Sequence, residues 1–258
     1  MATALITGAS AGIGEAFARL LAAEKFDLVL VARDVARLEA KATELRNRFG
    51  IGVEVLPADL SNTDQLLRVE ARLQDQSRPI EVLINNAGFR LIENFFHSDL
   101  ASENELLEVL VRAPMRLMHS ILPAMRERNS GVVINVSSVA GWTTGGTYNA
   151  SKSYLTVLSE SMHTKLLGTK VNVMALCPGF TRTEFHQRGK MTMTGLPNFL
   201  WLSADEVVSK AWKGAQAGDP ICVPGWQYAI LSTFARFGPR PLIRRLGANL
   251  RFRRGRKP

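Results

Sequence analysis

The sequence has few cysteines and no apolar run of membrane-spanning length. Its two cysteines, Cys177 and Cys222, are too few and too widely separated for a disulfide framework or for a pair at metal-ligand spacing, so we interpret both as small core residues. The four scattered histidines, His97, His119, His163 and His186, likewise predict no metal site. The apolar stretch at 226–237 is interrupted by polar residues and is shorter than the ~20 residues that span a bilayer.

Acidic residues are absent from residues 234–258, which hold nine arginines or lysines. The rest of the chain carries 23 basic and 23 acidic side chains, so this basic tail holds the entire net charge of +9. Leu242, Ile243, Leu246 and Leu250 lie among its arginines. Such a tail favours an anionic membrane surface or an acidic partner such as an acyl carrier protein, and a solvated, partly disordered terminus is the alternative.

The neutral body and the scarcity of aromatics in the tail argue against nucleic-acid binding. The start of the sequence enters an apolar run at Ala4 without a basic segment or a cleavage pattern, which is not typical of a signal peptide. We therefore expect a cytoplasmic protein, including one held peripherally at a membrane.

Short β-rich runs alternate with longer helical patterns along the chain, and several runs are apolar on both faces, as a parallel sheet covered on both sides requires. We predict an α/β fold with one domain at 1–233, built on a doubly wound, Rossmann-like parallel sheet of about seven strands, followed by the tail at 234–258. The predicted strands lie within 2–7, 27–33, 53–59, 81–85, 132–138, 171–176 and 221–223, and the helices include 100–128, 148–167 and 204–217.

A glycine-rich turn, TGASAGIG at residues 7–14, follows the first strand. Gly8, Gly12 and Gly14 allow a tight turn, a close approach of the backbone to a pyrophosphate, and close packing of the next helix, whose N-terminus adds partial positive charge. A lone turn of this kind also occurs as a simple strand-to-helix connection. Its meaning therefore depends on the rest of the sequence.

The turn has the spacing T-G-x-x-x-G-x-G, which resembles the cofactor turn of the classical short-chain dehydrogenase/reductase family. Further segments match that family in order over nearly the whole chain: Asp59-Leu60, N-N-A-G at 85–88, the Ser138, Tyr148 and Lys152 set, and Pro178-Gly179 with Thr181 and Thr183. The resemblance implies hydride transfer between a carbonyl and its alcohol, and a dimer or tetramer. It assigns cofactor binding to Thr7, Gly8, Ser10, Gly12, Ile13, Gly14, Arg33, Asp59, Leu60, Asn86, Ala87, Gly88, Tyr148, Lys152, Pro178, Gly179, Thr181 and Thr183.

The end of the second strand predicts NADP(H) rather than NAD(H). Enzymes that use NAD usually place an acid there to bind the ribose hydroxyls, whereas this sequence has Arg33, whose guanidinium can form a fork onto a 2′-phosphate. We interpret Asp34 as the N-cap of the following helix. An Arg33 that is merely exposed at the strand end remains the alternative.

Tyr148 and Lys152 are four residues apart on a predicted helix and so share one face. A carbonyl that accepts hydride needs a proton from an acid, and a nearby ammonium lowers the pKa of a phenol toward the range where it can exchange that proton. We predict that Tyr148 is the general acid/base, that Lys152 supplies this charge, and that Ser138 donates a hydrogen bond to the substrate oxygen. A Tyr-x-x-x-Lys pair alone is common, so these roles depend on the other matches.

Leu110 stands where many family members have an asparagine that holds a water for proton relay, so we expect another relay route or slow turnover. Residues 185–202 are predicted to form a substrate lid. Its apolar members, Phe185, Met191, Met193, Leu196, Phe199 and Trp201, suggest a bulky apolar ketone, aldehyde or 3-oxoacyl substrate, or else a helix face packed on the core. The sequence thus favours an NADP-dependent carbonyl reductase, with a cofactor-binding redox sensor or scaffold of little activity as the alternative.

Overall fold

A computed structural model describes residues 1–93, 95–185 and 197–244. Seven parallel strands form one sheet in the order β3-β2-β1-β4-β5-β6-β7, which confirms the predicted doubly wound α/β fold. The strands are β1 (Thr3–Thr7), β2 (Asp27–Ala32), β3 (Val53–Pro57), β4 (Val82–Asn85), β5 (Gly131–Val136), β6 (Val171–Leu176) and β7 (Ile221–Cys222).

Helices cover both faces of the sheet. They are α1 (Gly12–Ala23), α2 (Val35–Phe49), α3 (Thr63–Gln74), α4 (Leu100–Leu107), α5 (Ala113–Glu127), α6 (Thr147–Lys165), α7 (Ala204–Ala217) and α8 (Trp226–Phe237). Alternate side chains of β2 show the two layers: Leu28 and Leu30 enter one apolar core with α1, α2 and α7, whereas Val29 and Val31 enter a second core with α3 and α5. Because both faces are buried, each strand reads as a nearly continuous apolar run.

Helix ends follow the capping signals of the sequence. The Asp34 side chain accepts a hydrogen bond from the Arg37 backbone N–H, which confirms Asp34 as the N-cap of α2. Gly50 ends this helix in the left-handed conformation, with φ of 66°. Ser203 and Glu206 form a capping box at the start of α7, so that α7 begins where predicted, at Ala204.

The helix predicted over 100–128 is confirmed over residues 100–127, with one π-helical turn inside it. This turn, Glu108–Arg112, joins α4 to α5. Pro114 explains the local change, because it has no N–H to donate to the carbonyl one α-helical turn before it. The π-helical turn, which also carries Leu110, is a detail that the sequence did not predict.

The last described residues pack against the body of the protein. The predicted domain boundary after residue 233 falls inside α8, whose Ser232 and Ala235 are buried on either side of it, and Ile243 is buried as well. No helix within the described residues is long and apolar enough to cross a membrane.

Candidate active site

The turn between β1 and α1 is closed around its glycines. Gly8 and Gly12 have φ of 67° and 62°, a region that side-chain-bearing residues rarely adopt. A Cβ on Gly14 would lie 2.3 Å from the Gly8 carbonyl oxygen, and one on Gly12 would lie 3.1 Å from Cβ of Thr183. The backbone can follow this path only with glycine at these positions.

The N-N-A-G segment at the end of β4 holds the turn in place. Asn86 Nδ2 donates to the carbonyl oxygens of Thr7 and Gly8, at 3.0 and 3.1 Å. Thr7 Oγ1 in return accepts hydrogen bonds from the backbone N–H groups of Asn86 and Ala87. The first and fourth strands therefore end in one hydrogen-bonded unit at the carboxyl edge of the sheet, where folds of this type bind ligands.

The residues of the turn fit a dinucleotide. The N-terminus of α1 has no side-chain cap, since Ala11 occupies the N-cap position, so the backbone N–H groups of its first turn are available for a pyrophosphate. Gly12 and Gly14 themselves add no side chain to the approach to those groups. Ser10 and Ile13 are half-buried at this turn.

The predicted adenine-side residues lie together at the ends of β2 and β3. The Arg33 guanidinium is mostly exposed. Its Nη1 atom lies 3.8 Å from Oδ2 of Asp59 and 3.6 Å from Oε1 of Glu105. Asp59 accepts hydrogen bonds from the backbone N–H and hydroxyl of Ser61. The Leu60 side chain is buried between the sheet and α3 and borders the same small cavity as Thr7 and Lys152.

Ser138, Tyr148 and Lys152 converge beside the end of β5. Ser138 follows β5, and its hydroxyl is close enough to the hydroxyl of Tyr148 to lower the pKa of that phenol by hydrogen bonding. Lys152 Nζ lies 5.8 Å from the centre of the Tyr148 ring and donates to the carbonyl oxygen of Val136 at 2.7 Å. Ser137 Oγ, next to Ser138 in sequence, bonds instead to the carbonyl oxygen of Lys152 and so ties α6 to the strand.

Burial shifts the pKa values of the tyrosine and the lysine in opposite directions. Desolvation raises the pKa of Tyr148 to about 12 and lowers the pKa of Lys152 to about 8, because each side chain is less stable in its charged form. Two contacts partly offset the rise at Tyr148: the positive charge of Arg90 and the hydrogen bond from Ser138 both lower its pKa.

Arg90 was missed by the sequence reasoning. Its guanidinium carbon lies 5.6 Å from the centre of the Tyr148 ring, two residues beyond Gly88. The sequence predicted Lys152 as the cation that lowers the pKa of this phenol, whereas Arg90 is the cation that does so in this structure. An arginine directly after the N-N-A-G-F sequence is the only sequence signal that could have pointed to this contact.

The segment after β6 borders both the turn and the tyrosine. The carbonyl oxygen of Pro178 accepts hydrogen bonds from Ser138 Oγ and from the backbone N–H of Val139. Gly179 lies flat against Tyr228 of α8, so closely that a Cβ on Gly179 would overlap the ring at 2.1 Å. Thr181 is buried, and Thr183 covers Gly12. Pro178 and Thr183 thus connect the serine to the glycine turn.

Leu110 lies at the back of the site, almost fully buried in the π-helical turn. It borders a cavity of about 10 Å³ together with Asn85 and Lys152, and its Cδ2 would lie 2.8 Å from a Cβ on Gly88. Among the described side chains, the buried Asn85 Oδ1 is one of the few polar atoms with no hydrogen-bond partner. An apolar side chain therefore fills the position beside an unsatisfied acceptor.

In the described part of the predicted lid, some apolar side chains pack against other rings and one is exposed. The Phe185 ring lies 6.0 Å from the Tyr148 ring, Trp201 packs on Phe180 at 5.9 Å between ring centres, and Phe199 is exposed. The other apolar lid residues, Met191, Met193 and Leu196, and also His186, lie outside the described residues. So do tail residues from Arg245 onward, including Leu246 and Leu250.

A cavity of about 430 Å³ lies next to the loop that follows Ser138. Loop residues 141 and 143–146, α6 and the last described residues enclose it, and neither Ser138, Tyr148 nor Lys152 lines it. The described residues contain no group of histidine, cysteine and acidic side chains able to hold a metal ion.

The fold and the convergence of a glycine turn with a Ser-Tyr-Lys set define a nucleotide-binding oxidoreductase class. The sequence model of the short chain dehydrogenase family matches residues 2–193, and the chain belongs to that family.

Relatives and solved structures agree with this membership. A ketoacyl reductase of Nostoc is 36% identical over 69% of this chain and 63% of its own length, so the match spans less than two thirds of that relative. A sulfoacetaldehyde reductase of Chromohalobacter salexigens is 34% identical over 70% of this chain and 72% of its own. A short-chain dehydrogenase of Sphingobium yanoikuyae, solved with NADPH, is 33% identical with a TM-score of 0.84, over 92% and 94% of the two chains.

Proposed function

We propose that this chain is an NADP-dependent reductase that converts a carbonyl compound to its alcohol, and the reverse. The arrangement that carries the proposal is the convergence of Ser138 and Tyr148 at the carboxyl edge of the sheet with the buried Lys152, whose Nζ lies 5.8 Å from the centre of the Tyr148 ring. This is the arrangement that protonation of a carbonyl oxygen needs.

The chain's own residues divide the work as follows. Tyr148, which keeps its proton at neutral pH because burial raises its pKa, donates that proton to the substrate oxygen. Ser138 donates a hydrogen bond to the same oxygen, the Arg90 guanidinium stabilises negative charge on the phenol oxygen, and Lys152 is one of the residues that would hold the cofactor. When bound, the reduced nicotinamide supplies the hydride.

The glycine turn, the N-N-A-G segment and the segment at 178–183 would hold the dinucleotide. Gly8, Gly12 and Gly14 would admit the pyrophosphate, and Arg33, which lies near Asp59 and Glu105, would bind the 2′-phosphate. The NADPH complex of the Sphingobium relative supports this cofactor choice. With Arg33→Ala, we expect kcat/KM to fall roughly tenfold or more for NADPH and far less for NADH, because only NADPH carries the 2′-phosphate. Equal losses with both cofactors would contradict the assignment.

We propose an apolar or bulky carbonyl as the substrate, because the apolar ring of Phe185 lies 6.0 Å from the ring of Tyr148. A relative from Comamonas testosteroni, 30% identical with a TM-score of 0.80 over 92% of this chain and 93% of its own, is described as a bulky-bulky ketone specific alcohol dehydrogenase. A panel of an aryl ketone, a 3-oxoacyl thioester and sulfoacetaldehyde, assayed with NADPH, tests this preference.

Tyr148→Phe tests the mechanism. We expect this variant to lose about 100-fold or more in kcat, since it lacks the acid, while its Kd for NADPH stays within a fewfold of the unaltered protein. Tyr154→Phe on the same helix is the matched control, because Tyr154 is partly exposed and is not one of the site residues. Undiminished turnover in Tyr148→Phe would contradict the mechanism, and no turnover of any carbonyl by the unaltered protein would favour the redox sensor or scaffold.

We also propose a dimer or tetramer formed through the helices that follow β4 and β5. Leu107, Met115 and Val157 on α4, α5 and α6 are exposed apolar side chains, which supports an interface there. Sedimentation velocity tests it, and a concentration-independent monomer would contradict it. A cytoplasmic location stays a prediction.

A further inference from the structure

The outward side of α8 is apolar. Trp226, Ile230, Phe234 and Phe237 are 70%, 65%, 41% and 79% exposed, and their spacing of four, four and three residues places them on one side of the helix. We call these four residues the outer face of α8. A helix at the surface of a soluble protein normally presents polar side chains in this position.

The opposite side of α8 fixes the orientation of the outer face. Tyr228, Ser232 and Ala235 are buried against the body. Tyr228 accepts a hydrogen bond from the Phe180 backbone N–H at 3.0 Å and donates one to the Leu200 carbonyl oxygen at 2.5 Å. The helix therefore cannot rotate to bury its outer face without breaking these bonds.

The charge around the outer face has one sign. Asp219 is the last acidic residue of the sequence, and nine basic residues follow it from Arg236 onward. Arg240 and Arg244 lie beyond the end of α8 and are exposed, and both border the cavity beside loop residues 143–146. Within the described residues, Arg236 forms an ion pair with Glu160 at 3.4 Å, and its guanidinium carbon lies 5.4 Å from the centre of the Trp142 ring.

This charge decides between the possible occupants of the face. A second copy docked on the outer face would bring a second arginine-rich segment close to the first, and like charges repel. An anionic lipid surface attracts the arginines and accepts the aromatic and aliphatic side chains at its boundary. Tryptophan and phenylalanine beside arginine are the side chains that such a boundary accommodates.

We propose that α8 lies flat on an anionic bilayer, with its outer face in the headgroup region and the exposed Arg240 and Arg244 near the lipid phosphates. The helix has 12 residues and so spans roughly 18 Å, enough to lie in the surface and too short to cross it. The inference uses no feature of the catalytic site and stands apart from the proposed reaction.

Co-sedimentation of the full chain with vesicles tests the proposal. We expect binding to vesicles of phosphatidylcholine with about 30% phosphatidylglycerol, weakening as salt rises, and about tenfold or more weaker binding to phosphatidylcholine alone. The variant Ile230→Glu with Phe237→Glu should lose about tenfold or more of the binding to the anionic vesicles, because two carboxylates then face the lipid.

Leu167→Glu is the matched control, since Leu167 is 67% exposed in the turn after α6, away from the outer face. It should bind vesicles as the unaltered protein does, and all variants should keep the same melting temperature. Failure of the unaltered protein to bind anionic vesicles, or equal binding by the double variant, would overturn the proposal. So would a dimer that only the double variant dissociates, or selective binding of an acidic carrier protein in place of vesicles.

Discussion

Removing the Arg90 guanidinium, which lies beside the ring of Tyr148, should shift the pH profile of the reaction. Arg90→Ala takes away a positive charge 5.6 Å from the Tyr148 ring, and that charge lowers the pKa of Tyr148. Without it, the phenolate becomes less stable, so the pKa must rise. In alcohol oxidation Tyr148 acts as the base, and the rising limb of kcat/KM against pH should therefore move to higher pH.

Coulomb's law gives the size of the shift. Two unit charges at this separation interact by about 3 kcal/mol at an effective dielectric constant of about 20, and by about 0.7 kcal/mol in bulk water. Both side chains are half-buried, so the value lies between these limits. Since 1.36 kcal/mol corresponds to one pKa unit, the rising limb of kcat/KM should move to higher pH by roughly half a pH unit to two pH units.

The assay follows NADPH formation from an alcohol substrate at saturating NADP, from about pH 6 to pH 11. This range includes the ordinary tyrosine pKa of ~10 and the lower part of the rising limb that a pKa of about 12 produces. Arg90→Lys keeps a charge near the ring and should leave the limb closer to its original position. Arg48→Ala is the matched control, because Arg48 makes the same kind of contact, 5.1 Å from the Phe49 ring, at the far end of α2. A limb that stays in place or moves downward in Arg90→Ala would refute the reasoning.

Three other substitutions test the remaining parts of the structure. Leu110→Asn puts a donor beside the unpaired Asn85 Oδ1 and should raise kcat, measured in steady state at saturating NADPH; an unchanged kcat would show that proton relay does not depend on this position. Gly14→Ala forces a Cβ against the Gly8 carbonyl and should abolish NADPH binding in calorimetry, whereas Gly50→Ala, strained but in open space, should lower stability by only about 1 kcal/mol and keep that binding. Glu70→Ala breaks the two hydrogen bonds from Arg116, at 2.5 and 2.9 Å, and should lower the free energy of unfolding by about 2–3 kcal/mol in urea titration; a loss below about 0.5 kcal/mol would mean that this pair is screened.

Local sequence signals predicted the parts of the fold that local chemistry determines. The strands were visible because both faces of the sheet are covered, which makes runs such as β2 continuously apolar. Asp34 could be recognised as an N-cap because a carboxylate three residues before a free backbone N–H stabilises a helix start. The family resemblance selected Ser138, Tyr148 and Lys152, and the structure brings these three together.

Contacts between distant segments were not predictable from the sequence. The position of Arg90 over Tyr148 depends on how the loop after β4 meets α6, which no local pattern records. The burial of Leu60 was also missed, because a side chain after a strand can point to either layer. The π-helical turn escaped prediction because helical periodicity over 100–128 has no signal for one additional residue in a turn, and Pro114 alone is compatible with a regular helix start.

The ring of Tyr228 has a practical consequence for anyone who shortens or fuses this chain. Its hydroxyl forms hydrogen bonds with the backbone of Phe180 and Leu200, and its ring packs against Gly179. A truncation upstream of Trp226 would remove these contacts and loosen the segment at 178–183, which borders Ser138 and the glycine turn, even though Ser138, Tyr148 and Lys152 would remain. Affinity tags and reporter domains are therefore better attached at the N-terminus. There β1 begins at Thr3, at the opposite end of the strand from the site.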